Sequence, residues 1–188
     1  MDALGWSMGA AVWWSYLDLF GSSRVRTLVV VDQPSAVAAL PHMSAEDAAA
    51  CGAVFELPQL AGLIGALLGP DADEVLLSFA RTTYTGEIPR WMWELQVAQM
   101  RTVPAYAAVP LLFDHCAQDW RDVVRRIDVP TLVIGCEGSH VPPGSQRSLA
   151  QQIPGGRAHV FTADVASSHF PFLQAPAEFN AVVSGFLG

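Results

Sequence analysis

Residues 5–9, Gly5-Trp6-Ser7-Met8-Gly9, fit the pattern G-x-S-x-G and run straight into an apolar, helix-like stretch from Ala10 to Phe20. A serine on a sharp turn between a strand and a helix is forced into a strained backbone conformation with its hydroxyl exposed. Glycines on both sides carry no Cβ, so the helix can begin close against the strand end. The first turn of that helix then directs backbone N–H groups at any negative charge developing beside Ser7.

Three fixed positions of common residues match by chance in about 5% of chains of this size, so the surroundings must carry the motif. Met1 to Leu4 reads as the end of a strand, and Ala10 to Leu19 as the following helix. Val25 to Val31 is a β-branched run closed by Asp32-Gln33-Pro34, the pattern of a buried parallel strand. Two strands joined by one helix make a βαβ unit.

Downstream, from Ser35 to about Arg126, helical stretches are broken by Pro41, Pro58, Gly69-Pro70, Gly86, Pro89, Pro104 and Pro110, with no convincing strand. Leu60, Ile64, Phe79, Trp91 and Met100 read mainly as helix-packing residues, a minority of which should line a pocket. Thr131 to Gly135 is another buried strand, Ser145 to Ile153 a helix opened by Pro142-Pro143, and Arg157 to Phe161 a final strand. A loop holds His169, and Ala175 to Leu187 closes the chain as a helix with Phe179, Val182, Val183 and Phe186 on one face. This order predicts an α/β fold: a parallel sheet flanked by helices, its core formed by residues 1–34 and 127–188, with residues 35–126 as an inserted helical cap.

Composition narrows the function. At 188 residues, 52% hydrophobic and 15% charged, the chain can bury a substantial core. A net charge of -8 argues against nucleic acid and anionic membrane surfaces as partners. The longest apolar run, Leu57 to Leu68, is too short to cross a bilayer, and no signal-peptide pattern is present. Cys51, Cys116 and Cys136 are odd in number and widely spaced, which suits neither a disulfide framework nor a zinc site. A cytoplasmic location is the expectation.

Three stretches, in the right order, resemble the α/β-hydrolase family: Gly5-Trp6-Ser7-Met8-Gly9, Pro130-Thr131-Leu132-Val133-Ile134-Gly135, and Ser168-His169-Phe170-Pro171 continuing to Phe179. Asp119-Trp120-Arg121-Asp122 is similar to the branch containing cofactor-free haloperoxidases, esterases and lactonases. The resemblance implies Ser7 as nucleophile, His169 as its base, and the backbone N–H of Met8 as one arm of an oxyanion hole. It places the triad acid at about Ser139, which carries no charge. Two carboxylates stand in the required order instead. Asp32 closes the strand after the elbow, at the carboxyl edge of the sheet where such sites are built, and Glu137 ends the penultimate strand on a longer side chain. Asp32 ranks ahead of Glu137.

The family's fold also carries several strands and helices before the elbow, on the order of 80 residues or more. The chain is therefore expected to be the C-terminal portion of such a fold, or a reading frame begun at an internal Met, with an exposed sheet edge at its first strand.

The resulting expectation is a serine hydrolase cleaving small-molecule carboxylic esters or lactones through an acyl-enzyme, with no metal or organic cofactor. Peroxide-dependent haloperoxidase or perhydrolase chemistry on the same acyl-Ser7 is the alternative, and a non-catalytic binding or inactive fragment of the fold is another. The aromatic, Leu-rich cap suggests an apolar acyl or alcohol group of modest size. Oligomeric state does not follow from the sequence.

Overall fold

A computed structural model describes residues 1–188. Strand β1 (Asp2–Trp6) leads through helix α1 (Met8–Phe20) to β2 (Thr27–Val31). Next come β3 (Ala38–Ala39), α2 (Ala45–Cys51), β4 (Phe55–Glu56) and the helices α3 (Leu57–Leu67), α4 (Ala72–Thr82), α5 (Arg90–Met100), α6 (Ala105–Ala117) and α7 (Arg121–Val124). The chain ends with β5 (Thr131–Cys136), α8 (Pro143–Gln152), β6 (Arg157–Phe161), α9 (Pro171–Gln174) and α10 (Pro176–Leu187).

The main sheet is parallel throughout, in the order β1-β2-β5-β6. β2 and β5 are central and buried along their whole length, which is why both read as unbroken apolar runs. Alternation survives in where the side chains go. Leu28, Val30 and Val133 pack with Ala10 and Trp14 of α1, Val124 of α7 and Leu149 of α8 on one face. Val29, Val31, Leu132 and Ile134 pack with Phe179 and Val183 of α10 on the other. β1 is an edge strand: it pairs only with β2, and Leu4 is 45% exposed.

Two expectations for the middle of the chain are corrected. A short parallel pair, β3 and β4, joins Ala38 to Phe55 and Ala39 to Glu56. Two-residue strands are too brief to leave an alternating signature. Pro110, read as a break, lies inside α6. A proline removes one backbone donor, and here packing of Val109 and Cys116 into buried positions holds the helix through it.

The segments leaving and rejoining the sheet region cross side by side. The Trp120 N–H donates to the Ser35 carbonyl at 2.8 Å, and Ala36 bridges Asp119. Arg121 clamps Asp119 with Nε at 2.9 Å and Nη2 at 2.7 Å, and this guanidinium holds the Asp119 carboxyl down to about 2. No helix is long and apolar enough to cross a membrane.

Candidate active site

Ser7 sits in the one-residue turn between β1 and α1 with φ 52° and ψ -132°. An L-residue rarely adopts a positive φ, so the conformation has to be imposed by its surroundings. The Ser7 N–H donates to the Val31 carbonyl at 2.9 Å, and its own carbonyl accepts from the Ala10 N–H at 2.8 Å. The two flanking glycines play different parts. A Cβ on Gly5 would lie 2.5 Å from the Ala10 backbone, so only glycine fits there. A Cβ on Gly9 would meet nothing within 4 Å, so the close approach expected of both glycines belongs to Gly5 alone. Gly9 instead faces the cavity beside Ser7, where a missing side chain leaves room.

Met8 opens α1, and its N–H is one of the first-turn donors with no intrahelical acceptor. No acidic residue occupies that turn to compete for it.

Asp32 follows β2 directly, fully buried, with φ 51°. Its N–H donates to the Ile134 carbonyl at 2.8 Å, which extends the β2-β5 ladder by one bond and fixes the side chain at the carboxyl edge of the sheet. Aspartate tolerates this left-handed conformation better than most residues. Its Oδ2 lies 2.8 Å from His169 Nδ1 and also accepts from the Ser139 hydroxyl. With Asp32 ionised, the carboxylate only accepts, so Nδ1 carries the proton and leaves the Nε2 lone pair free.

His169 occupies the loop between β6 and α9 and is 5% exposed. Its backbone is pinned from two sides: its N–H donates to the Thr83 carbonyl at 3.1 Å, and its carbonyl accepts from Trp6 Nε1 at 2.7 Å. The ring packs against Trp6 at 5.0 Å and against His140 at 4.6 Å between centroids. Glu137 is not brought to the histidine. Its Oε2 accepts from the Ala163 N–H at 3.3 Å on the far side of the strand end.

Ser7, Met8 and His169 line one cavity of about 1380 Å³, walled further by α4, α5 and α6. That exceeds the roughly 300–1,000 Å³ usual for small-molecule sites and is more room than a modest acyl group needs. No Asp, Glu or Arg side chain faces it. Burial pushes the imidazole of His140 down to about 3, with His169 beside it adding to the effect, and pushes His115 down to about 4. No group of three or more His, Cys, Asp or Glu side chains is placed to hold a metal ion. The three cysteines are free and buried, and burial raises Cys116 and Cys136 to about 12.

Sequence reasoning missed Trp6, Ser139, His140 and Tyr84 as neighbours of this site. Only two left a trace: Trp6 is part of the motif, and Ser139 stands where a carboxylate is usual.

A strained serine turn and a buried His-Asp pair at the carboxyl edge of an all-parallel sheet define an α/β protein with its site at the strand ends. The chain belongs to the alpha/beta hydrolase family, whose model matches residues 2–182. Among solved structures it is similar to a bromoperoxidase from Bacillus anthracis, with a TM-score of 0.84 and 16% identity over 98% of this chain and 66% of that one. An esterase from Exiguobacterium antarcticum gives a TM-score of 0.83 at 20% identity, over 100% of this chain and 66% of that one. A pyrrolizixenacetamide deacetylase from Xenorhabdus hominickii is 33% identical over 69 residues, 37% of this chain and 25% of that protein. The chain thus spans slightly less than two thirds of the length of these structures.

Proposed function

We propose that the chain is a serine hydrolase of uncharged carboxylic esters or lactones, with Ser7 as nucleophile, His169 as general base and acid, and Asp32 as the triad acid. The observation that carries this reading is the 2.8 Å contact of His169 Nδ1 with the buried Asp32 carboxylate, in the wall of the cavity that Ser7 also lines. Residues 1–34 and 127–188 are the catalytic core and residues 35–126 the cap. The three free, buried cysteines fit a reducing, cytoplasmic setting.

In this mechanism Ser7 Oγ attacks the carbonyl carbon while its proton passes to His169 Nε2. The Met8 N–H donates to the oxyanion so formed, and the positive end of α1 adds to it. Collapse expels the alcohol oxygen, which takes the proton from Nε2. Water then attacks acyl-Ser7, giving its proton to Nε2. The acid departs as the proton returns to Ser7. Asp32 keeps the imidazole in the tautomer this needs and favours the imidazolium. Hydrogen peroxide in place of that water would release a peracid, and the fold likeness to a bromoperoxidase makes peroxide a required arm of the assay.

A fluorophosphonate probe tests the reading. The native chain should be labelled and Ser7→Ala should not, with ester hydrolysis lost in parallel. A folded native chain that takes no label would overturn the enzyme reading in favour of a non-catalytic binding protein.

A further inference from the structure

The Asp32 carboxylate is satisfied from one side only. Its side chain is fully buried, and Oδ1 has no hydrogen-bond partner. Oδ1 faces the backbone of β5 at Gly135, where a Cβ would stand 3.8 Å from it. Gln146 of α8 packs on the same glycine, but its amide is spent on the Gln33 carbonyl at 3.1 Å. The ion-pair partner of the carboxylate is His169, and no Arg reaches it. A buried carboxylate needs donors to hold its charge, and here both meet on Oδ2: His169 Nδ1 at 2.8 Å and the Ser139 hydroxyl.

That hydroxyl is held in place. Ser139 Oγ accepts from the Val141 N–H at 3.2 Å, which leaves its own proton for Asp32. The loop around it is fixed from three directions. The Glu137 N–H donates to the Phe161 carbonyl at 3.0 Å, the Ser139 N–H to the Cys136 carbonyl at 3.3 Å, and the Thr85 hydroxyl to the Gly138 carbonyl. Two donors on one ionised oxygen share its charge, so what the hydroxyl takes is withdrawn from the imidazolium.

We infer that Ser139 is a positioning residue for the acid–base step: its hydroxyl fixes Oδ2 in line with His169 Nδ1 and tempers the pull of the carboxylate on the imidazolium, so that the neutral base is regained more readily. Ser139 does not line the cavity, so it acts through Asp32 and not on the substrate. The inference rests on the hydrolase reading for the work His169 performs. The other titratable groups around the pair are His140, Cys136 and Tyr84. The His140 ring lies 4.6 Å from that of His169, Cys136 ends β5, and Tyr84 of the cap stacks on Phe170. Burial holds His140 down to about 3, lifts Cys136 to about 12 and raises Tyr84, so all three stay uncharged around neutral pH.

Two measurements on the 188-residue chain test this, with circular dichroism to verify folding. The first follows the ring protons of His169 by NMR against pH in the native chain, Ser139→Ala and Ser139→Thr, with His169→Gln to assign them. Ser139→Ala should raise the midpoint by about one pH unit, on the scale of one charge-assisted hydrogen bond. Ser139→Thr, which keeps the hydroxyl, should restore the native midpoint. The second measures kcat/KM for an ester across pH: in Ser139→Ala the acid limb should move up with the midpoint, and activity should recover above it. A midpoint that Ser139→Ala leaves unmoved, an equal shift in both variants, or a loss of kcat/KM equal at every pH overturns the inference. A shifted midpoint without Ser7-dependent hydrolysis keeps the effect of Ser139 on the pair and removes the hydrolase reading; hydrolysis with an unmoved midpoint does the reverse.

Discussion

His169 Nδ1 and Asp32 Oδ2 lie 2.8 Å apart although 137 residues separate them in the chain. The pair forms because two strand ends converge: Asp32 terminates β2, and His169 follows β6, on the far side of the intervening β5. Ser139, just after β5, bridges the gap by donating its hydroxyl to the same carboxylate oxygen. The Ser139 hydroxyl thus donates to a carboxylate that stands one strand away, at the end of β2.

Asp32→Asn should lower kcat by about 10⁴, because an amide in place of the carboxylate favours the wrong imidazole tautomer. Glu137→Gln should stay within a few-fold of native, since Glu137 bonds only the Ala163 N–H. Steady-state kinetics on one ester substrate, with circular dichroism to verify folding, decides it. The reverse ranking would transfer the acid role to Glu137.

Trp6→Phe keeps an aromatic ring against Phe170 and Phe172 but deletes the indole N–H that donates to the His169 carbonyl at 2.7 Å. The orphaned carbonyl should cost about 1–3 kcal/mol of stability. Looser placement of the imidazole should lower kcat more than it raises KM, because geometry at the reacting atoms matters most in the transition state. A change confined to KM would place Trp6 in substrate binding instead.

Gly5→Ala and Gly9→Ala should separate the two glycines of the motif. The first drives a Cβ to 2.5 Å from the Ala10 backbone and should destabilise by about 1–3 kcal/mol or more, an overpacking penalty with no flexible neighbour to yield. The second meets open space and should leave stability within about 0.5 kcal/mol of native while crowding the cavity beside Ser7. Urea unfolding of both variants is the measurement, and equal destabilisation would contradict the close packing at Gly5.

Stability should fall with acidity from about pH 6.5, the unfolded histidine pKa, down to about 4 for His115 and about 3 for His140, the lowered folded values. His115 is held down to about 4 and His140 to about 3, both chiefly by burial. In that window the unfolded chain binds protons that the folded chain refuses. Stability is therefore full above the unfolded pKa and declines as pH drops, by up to about 1.4 kcal/mol per pH unit for each histidine. Unfolding midpoints across the range, repeated for His115→Leu and His140→Leu, should show a shallower decline in each variant. An unchanged slope in both would remove the histidines as the cause.

The sequence by itself determined the strand–turn–helix around Ser7, the buried strands behind Asp32 and before Gly135, and the loop position of His169. Each of these is written locally: glycines where a turn needs them, β-branched runs where a strand is covered on both faces, and a proline or glycine where an element stops. Pro110 within α6 and the two-residue β3-β4 pair escaped, because packing over distance outweighed or replaced the local signal.

Only the tertiary structure decided which carboxylate meets His169. Asp32 and Glu137 both stand at strand ends, and the sequence could rank Asp32 first but not exclude Glu137. The parallel order β1-β2-β5-β6 and the left-handed φ of 51° at Asp32 turn one carboxylate inward to Nδ1. Glu137 is left to a backbone N–H near β6. The contacts of Trp6, Ser139, His140 and Tyr84 with the site were illegible for the same reason, although Trp6 lies in the motif and Ser139 at the expected acid position. These contacts join the end of β1, the α4–α5 connection and the β5–α8 loop to the loop of His169, and such contacts have no period or spacing in the chain.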